Sequence, residues 1–184
     1  MSTVNYSSAT HIGRVRPENH DTVYTDKDLS FFVVCDGASG AAGASEASKV
    51  ATEVIRRTLH HNRSVIDSYK AQASKEAQRA VGQLIAHALQ LASQTVFDRS
   101  LKISEFSGMS TTADVLLIAG HRAFLGHVGD GRIYLQRGHQ FYQLTNDHNY
   151  QAEMIADGKK TLDQAKKSPF ARVLTRSIGM RETV

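Results

Sequence analysis

Four strand-like runs, Thr111–Ile118, Ala123–Val128, Arg132–Gln136 and Phe141–Leu144, follow one another across short turns at Gly120-His121, Gly129-Asp130-Gly131 and Arg137-Gly138. Parallel neighbours need a crossover of about a dozen residues or more, so links this short predict antiparallel neighbours. The first third of the chain also reads as strands. Tyr6–Ile12 and Thr22–Tyr24 are short extended candidates, and Leu29–Cys35 (LSFFVVC) is a near-continuous apolar run rich in aromatic and β-branched residues, the signature of a buried strand. That run stops at Asp36, where DGASGAAG supplies Gly37, Gly40 and Gly43.

Two helical patterns lie between the strand regions. Ala47, Val50, Ala51, Val54, Ile55, Thr58 and Leu59 recur at three- and four-residue spacing. After a polar break over His60–Ser74, the same period returns in Ala77, Ala80, Val81, Leu84, Ile85, Ala88 and Ala92 and runs to about Arg99. Each helix has one apolar stripe that needs covering. Shorter helical stretches are expected near Gln151–Ala156 and Leu162–Lys167. Strands, two helices, then a meander describe an α+β domain with antiparallel sheets, and 184 residues fit one domain, 1–184.

Composition removes several function classes. No apolar run approaches the roughly 20 residues needed to span a bilayer, and the N-terminus lacks a secretory signal, so a cytoplasmic location without membrane attachment is expected. The net charge is +4, but the basic residues are scattered and form no stripe with aromatic platforms, which argues against nucleic acid as a partner. Cys35 is the only cysteine, so an intrachain disulfide and a cysteine zinc cluster are both excluded. A cysteine phosphatase would need an arginine six positions after the cysteine; Ala41 stands there. The nine histidines are dispersed rather than spaced as metal ligands. A nucleotide-binding loop fails too: Gly37-x-x-Gly40-x-x-Gly43 is not G-x-G-x-x-G, no Walker lysine is present, and Asp36 would repel a pyrophosphate.

The positive signal lies in aspartates beside turns. Asp21 follows a polar loop, Asp36 precedes Gly37 at the end of a buried strand, and Asp130 sits between Gly129 and Gly131. A carboxylate at a strand end is held rigidly, and a neighbouring glycine lets backbone oxygen approach a cation. Hard divalent ions take oxygen shells of this kind. Arg16 stands five residues before Asp21.

Six segments, in order, resemble the motifs of the metal-dependent protein phosphatase (PPM) family in its bacterial form. They are Gly13-Arg14-Val15-Arg16-Pro17-Glu18-Asn19-His20-Asp21, Phe32-Val33-Val34-Cys35-Asp36-Gly37-Ala38-Ser39-Gly40, Gly108-Met109-Ser110-Thr111-Thr112, His127-Val128-Gly129-Asp130-Gly131-Arg132-Ile133-Tyr134, Leu144-Thr145-Asn146-Asp147-His148 and Leu174-Thr175-Arg176-Ser177-Ile178-Gly179. The resemblance implies a four-layer αββα sandwich of two packed antiparallel sheets flanked by helices. It implies a phosphoprotein phosphatase that hydrolyses phosphoserine and phosphothreonine esters with a water activated by two divalent ions, Mn²⁺ or Mg²⁺, with room for a third. By position, Asp36 would bridge two metals and Gly37 would offer its carbonyl. Asp21 would orient the attacking water, Arg16 would hold the phosphate through its planar fork of donors, and Asp130, with Thr112 nearby, would serve an accessory ion. The implied partners are a phosphorylated protein and an opposing serine/threonine kinase.

Departures from the family pattern are also visible. His20 replaces Glu or Gln, Ala38 replaces Met or His, and Gly131 replaces Ser, the last expected to be a mild change. The family's later Ser-Asp-Gly turn and final Asp-Asn do not occur before Val184. The 184-residue chain is therefore expected to be a C-terminally shortened domain that binds Mn²⁺ weakly and turns over little substrate. The alternative is a non-catalytic phosphoprotein-binding or scaffold protein built on the same fold.

Overall fold

The computed structural model describes residues 4–38 and 43–184; the Ser39-Gly40 part of the glycine loop and Ala41 lie outside them. Two antiparallel sheets and a set of helices make up the chain, as expected for an α+β fold. The main sheet has the order β1 (Asp21–Asp26), β2 (Phe31–Ala38), β4 (Ala113–Ala119), β5 (Arg122–Val128), with the short β3 (Ser110–Thr111) pairing the end of β2. The second sheet is the hairpin β6 (Tyr134–Arg137) and β7 (Gln140–Gln143).

Alternation along β2 decides what lies on each face. Phe31, Val33 and Cys35 point into the core with Val115, Leu117 and Ala113 of β4, and all six are fully buried. Helices α1 (Ala44–His61) and α3 (Lys75–Lys102) cover that face. Their stripes supply Ala47, Ala51, Ile55 and Leu59 from α1 and Val81, Ile85, Ala88 and Ala92 from α3. Ser74 caps α3 by accepting from the Ala77 amide at 3.1 Å, which satisfies one of the four free N–H groups of the first turn. An Arg99–Glu46 ion pair at 2.6 Å ties the C-terminal end of α3 to the first turn of α1. Asp36 belongs to the other face of β2, and the register places Asp21 of β1 directly opposite it.

Three sequence expectations differ from the structure. Tyr6–Ile12 is not a strand; the Tyr6 ring instead packs edge-on against Phe32, centroids 5.1 Å apart. The polar stretch His60–Ser74 contains a further helix, α2 (Arg63–Ala71), which buries Ile66 and Tyr69 and sets Tyr69 edge-on to Phe124 at 5.2 Å. The turn at Gly129-Asp130-Gly131 does not return the chain to β5. Gly129 has φ +111°, a conformation open to glycine, and the chain leaves the main sheet there to form the separate hairpin. The C-terminal part contributes the short helices α4 (Tyr150–Ala156) and α5 (Leu162–Lys166), and bridges of Leu174 to Asn149 and Ile178 to Thr111 tie its last segment back. Among the described residues, no helix is long and apolar enough to cross a membrane.

Candidate active site

A cleft of about 640 Å³ opens at the end of the main sheet where β1 begins and β2 ends. Arg16, Glu18, His20, Asp21, Asp36, Gly37, Thr112 and Asp130 are among the residues that line it. Arg172, Val173, Leu174 and Met180 from the C-terminal segment line it too. All five residues singled out in the sequence for substrate or metal, Arg16, Asp21, Asp36, Gly37 and Asp130, thus face one space.

The acids come together because the β1–β2 register makes Asp21 and Asp36 cross-strand partners. Their side chains are within hydrogen-bonding reach, an arrangement two ionised carboxylates cannot hold without a shared proton or a cation. Loss of hydration among the surrounding protein pushes the Asp36 acid up to about 6. The charge of Asp21, its hydrogen bond and Asp130 add to the rise, and Arg16 opposes it. Arg16 is exposed and has no ion-pair partner among the described residues. A guanidinium in that state offers its donors to an incoming anion.

The backbone of Asp36 is clamped by residues whose part in this the sequence does not show. The Asp36 amide donates to Thr112 Oγ1 at 3.0 Å, while the Thr112 amide (2.9 Å) and Thr111 hydroxyl (2.9 Å) donate to the Asp36 carbonyl. Gly129 lies so close over Thr112 that a Cβ there would come within 2.6 Å of the Thr112 methyl. The Gly-x-x-Thr-Thr motif is the signal for this clamp, though its sequence alone does not reveal the partner. On the other side, the Gly37 amide donates to the His20 carbonyl at 3.2 Å, and Ser48 of α1 donates to the same carbonyl at 2.7 Å. Arg172 is a charged cleft residue that sequence reasoning missed; like Val173 and Met180 it belongs to no recognised motif.

A cation fits this donor set in kind. Two carboxylates face each other with a third nearby, the oxygen-rich chemistry that Mn²⁺ and Mg²⁺ prefer. The set is small: among the described residues, no three His, Cys, Asp or Glu side chains form a group that could hold an ion by themselves. Cys35 takes no part, since burial pushes its thiol up to about 12.

Comparison with known proteins gives the family. The sequence profile of the family described as protein phosphatase 2C matches residues 9–175. Protein phosphatase PhpP of Streptococcus pneumoniae is 28% identical over 181 residues, covering 97% of this chain and 69% of that protein. Serine/threonine phosphatase stp of Listeria monocytogenes is 25% identical over 175 residues, covering 94% of this chain and 66% of its own length. The solved structure of the Mycobacterium tuberculosis serine/threonine phosphatase PstP/Ppp superimposes with a TM-score of 0.71 at 25% identity, over 94% of this chain and 66% of that one. The chain spans about two thirds of the length of these relatives.

Proposed function

This chain belongs to the protein phosphatase 2C family, and from that premise we propose that its acidic cleft is the catalytic centre, with Arg16 receiving the substrate phosphate. The activity class is that of a metal-dependent serine/threonine phosphoprotein phosphatase. One observation carries the assignment of the site: Asp21 and Asp36 face each other across paired strands, with Asp130 and Arg16 close enough to act on the charge of Asp36.

Asp21, Asp36, the Gly37 carbonyl and Asp130 would hold Mn²⁺ or Mg²⁺, two ions with room for a third. When bound, the ions supply Lewis-acid neutralisation of the phosphoryl oxygens and lower the pKa of water to near neutrality. The protein's own residues do the rest. Asp36 sits on a backbone clamped by Thr111 and Thr112, so its carboxylate is positioned before substrate arrives. Asp21 orients the attacking water. Arg16 binds the non-bridging phosphate oxygens with paired N–H donors and leaves the phosphorus open to in-line attack. Ala38 offers no proton donor to the departing serine or threonine oxygen, so that proton comes from water. A kinase that phosphorylates the same protein would supply the substrate, and the cytoplasm is the compartment we infer.

Turnover of a phosphothreonine peptide is the test, measured with Mn²⁺ on the 184-residue chain and on the same chain joined to the last third of the pneumococcal relative. Arg16→Ala in the active form is expected to raise KM about tenfold or more, the worth of one charge-assisted bidentate contact, with Mn²⁺ dependence unchanged. Unchanged KM would move the phosphate to another cation, and absence of turnover at both lengths would favour a phosphoprotein-binding role.

A further inference from the structure

Behind the cleft lies a polar cluster that the proposed chemistry does not use. Asp114 of β4 and His127 of β5 are cross-strand partners on the same face as Asp36. His127 Nδ1 lies 2.7 Å from Asp114 Oδ1, with each side chain only 11% exposed, and His127 Nε2 lies 2.9 Å from the Asn146 carbonyl. Carboxylate and carbonyl oxygens accept, so both ring nitrogens donate and the partners assign an imidazolium. The next ring is the opposite. The His148 ring lies against His127, centroids 4.8 Å apart and tilted by 37°, and its Nδ1 accepts from the Gly129 amide at 3.1 Å, which makes it a neutral imidazole.

These groups bind the loop that carries Asp130. The His148 amide donates to the Gly129 carbonyl at 2.7 Å, Arg132 grips Asp147 through two bonds of 2.8 and 2.7 Å, and the Ile133 amide donates to Thr145 Oγ1 at 3.2 Å. Gly131 completes the arrangement. A Cβ at that position would overlap Asp114 Oδ2, and Asp114 cannot swing aside while His127 holds its other oxygen. The substitution of Gly for the family's Ser at 131 is therefore not a mild change: Asp114 occupies the space.

We infer that Asp114 is a positioning residue for the phosphatase reaction: its carboxylate fills the place of a side chain at 131, pairs with His127, and sets the loop that presents Asp130 to the cleft. The inference rests on the reading of Asp130 given above. It predicts that positions 114 and 131 are coupled, so that damage from a side chain at 131 is repaired by shortening the one at 114.

Gly131→Ser, Asp114→Thr and the double variant are the test, read by melting temperature, by ¹⁵N signals of the His127 ring, by the Asp130 amide resonance and by peptide turnover against Mn²⁺ concentration. Gly131→Ser alone is expected to lower the melting temperature by roughly 4–10 °C through overpacking. It should shift or broaden the Asp130 amide and raise the Mn²⁺ needed for half-maximal turnover. Asp114→Thr alone should convert His127 to a neutral ring at pH 7.5. The double variant should recover most of the lost melting temperature and return the Asp130 amide towards its parental position. A double variant no more stable than Gly131→Ser, or a neutral His127 in the parent at pH 7.5, would overturn the pairing. An Asp130 amide unmoved in Gly131→Ser and Asp114→Thr would overturn the positioning role. Coupling intact in a protein that turns over no phosphopeptide at either length would overturn the phosphatase reading and leave the pairing standing.

Discussion

Replacement of Asp36 by Asn is expected to remove Mn²⁺-dependent phosphopeptide turnover by more than about a hundredfold, because a neutral amide would hold the ions proposed for this cleft far less well than a carboxylate. The same substitution should do the opposite to stability when no metal is present. Asp36 in the folded chain has its acid pushed up to about 6 from an ordinary 3.8, by lost hydration and by Asp21. A raised folded-state pKa means that the folded form binds the proton more tightly than the unfolded chain does. Stability from that group is then complete below about pH 4 and is lost as pH rises through about 6. Asp36→Asn should therefore melt higher than the metal-free parent at pH 7.5 and no higher at pH 4. The side chain opens to the cleft, so solvent screening keeps this gain below what the full shift would imply. Mn²⁺ should reverse the order by stabilising the parent alone. An unchanged pH dependence in the variant would show that Asp36 and Asp21 do not share charge in this way.

The second large effect is expected at Gly37. A Cβ there would overlap the Ala44 carbonyl oxygen, lie 2.6 Å from the Ala44 carbonyl carbon and 2.9 Å from the His20 carbonyl oxygen. These obstacles are backbone atoms at the start of α1 and the end of the Arg16–His20 loop, so no side-chain rotation relieves them. Gly37→Ala should cost about 3 kcal/mol or more, the upper range for overpacking, and lower the melting temperature by roughly 6–12 °C. Whatever protein remains folded should also lose turnover, because the shift moves the Arg16–His20 loop that leads into Asp21 away from the strand holding Asp36. Gly138→Ala is the control: Gly138 lies in a turn, nothing stands within 4 Å of its added Cβ, and the strain there is that of φ +60° alone, whereas Gly37 lies in β2 without a positive φ. A loss at Gly37→Ala no larger than that at Gly138→Ala would show that the backbone around position 37 gives way and that close packing does not require glycine there.

Some of this architecture is legible in the residues because burial leaves a periodic trace. The stripes of α1 and α3 and the apolar run of β2 are long enough for their period to stand out. Helix α2 has only Ile66 and Tyr69 to bury, three residues apart in nine, and its polar remainder reads as a break. Tyr6–Ile12 has a strand-like composition but lacks a paired neighbour. Within the cleft, Asp21, Asp36 and Asp130 are visible as aspartates beside turns. The residues that hold them are less so. Thr111, Thr112 and Asp114 act through partners more than a dozen positions away, and only the strand register shows that Asp114 meets His127 on the face that bears Asp36. Gly131 shows the same limit. As a sequence change it is one small residue for another; its necessity appears only when Asp114 is seen lying against it.

Paramagnetic broadening of backbone amides during Mn²⁺ titration tests the central claim most directly, since it reports where a weakly held ion sits in the 184-residue chain itself. Amides around Asp21, Asp36 and Asp130 should disappear first, Mg²⁺ should bring them back, and Asp36→Asn should leave them sharp at the same Mn²⁺ concentration. Broadening centred on another part of the surface, or equally strong at the cleft in Asp36→Asn, would contradict the assignment of this cleft as the metal-dependent catalytic centre.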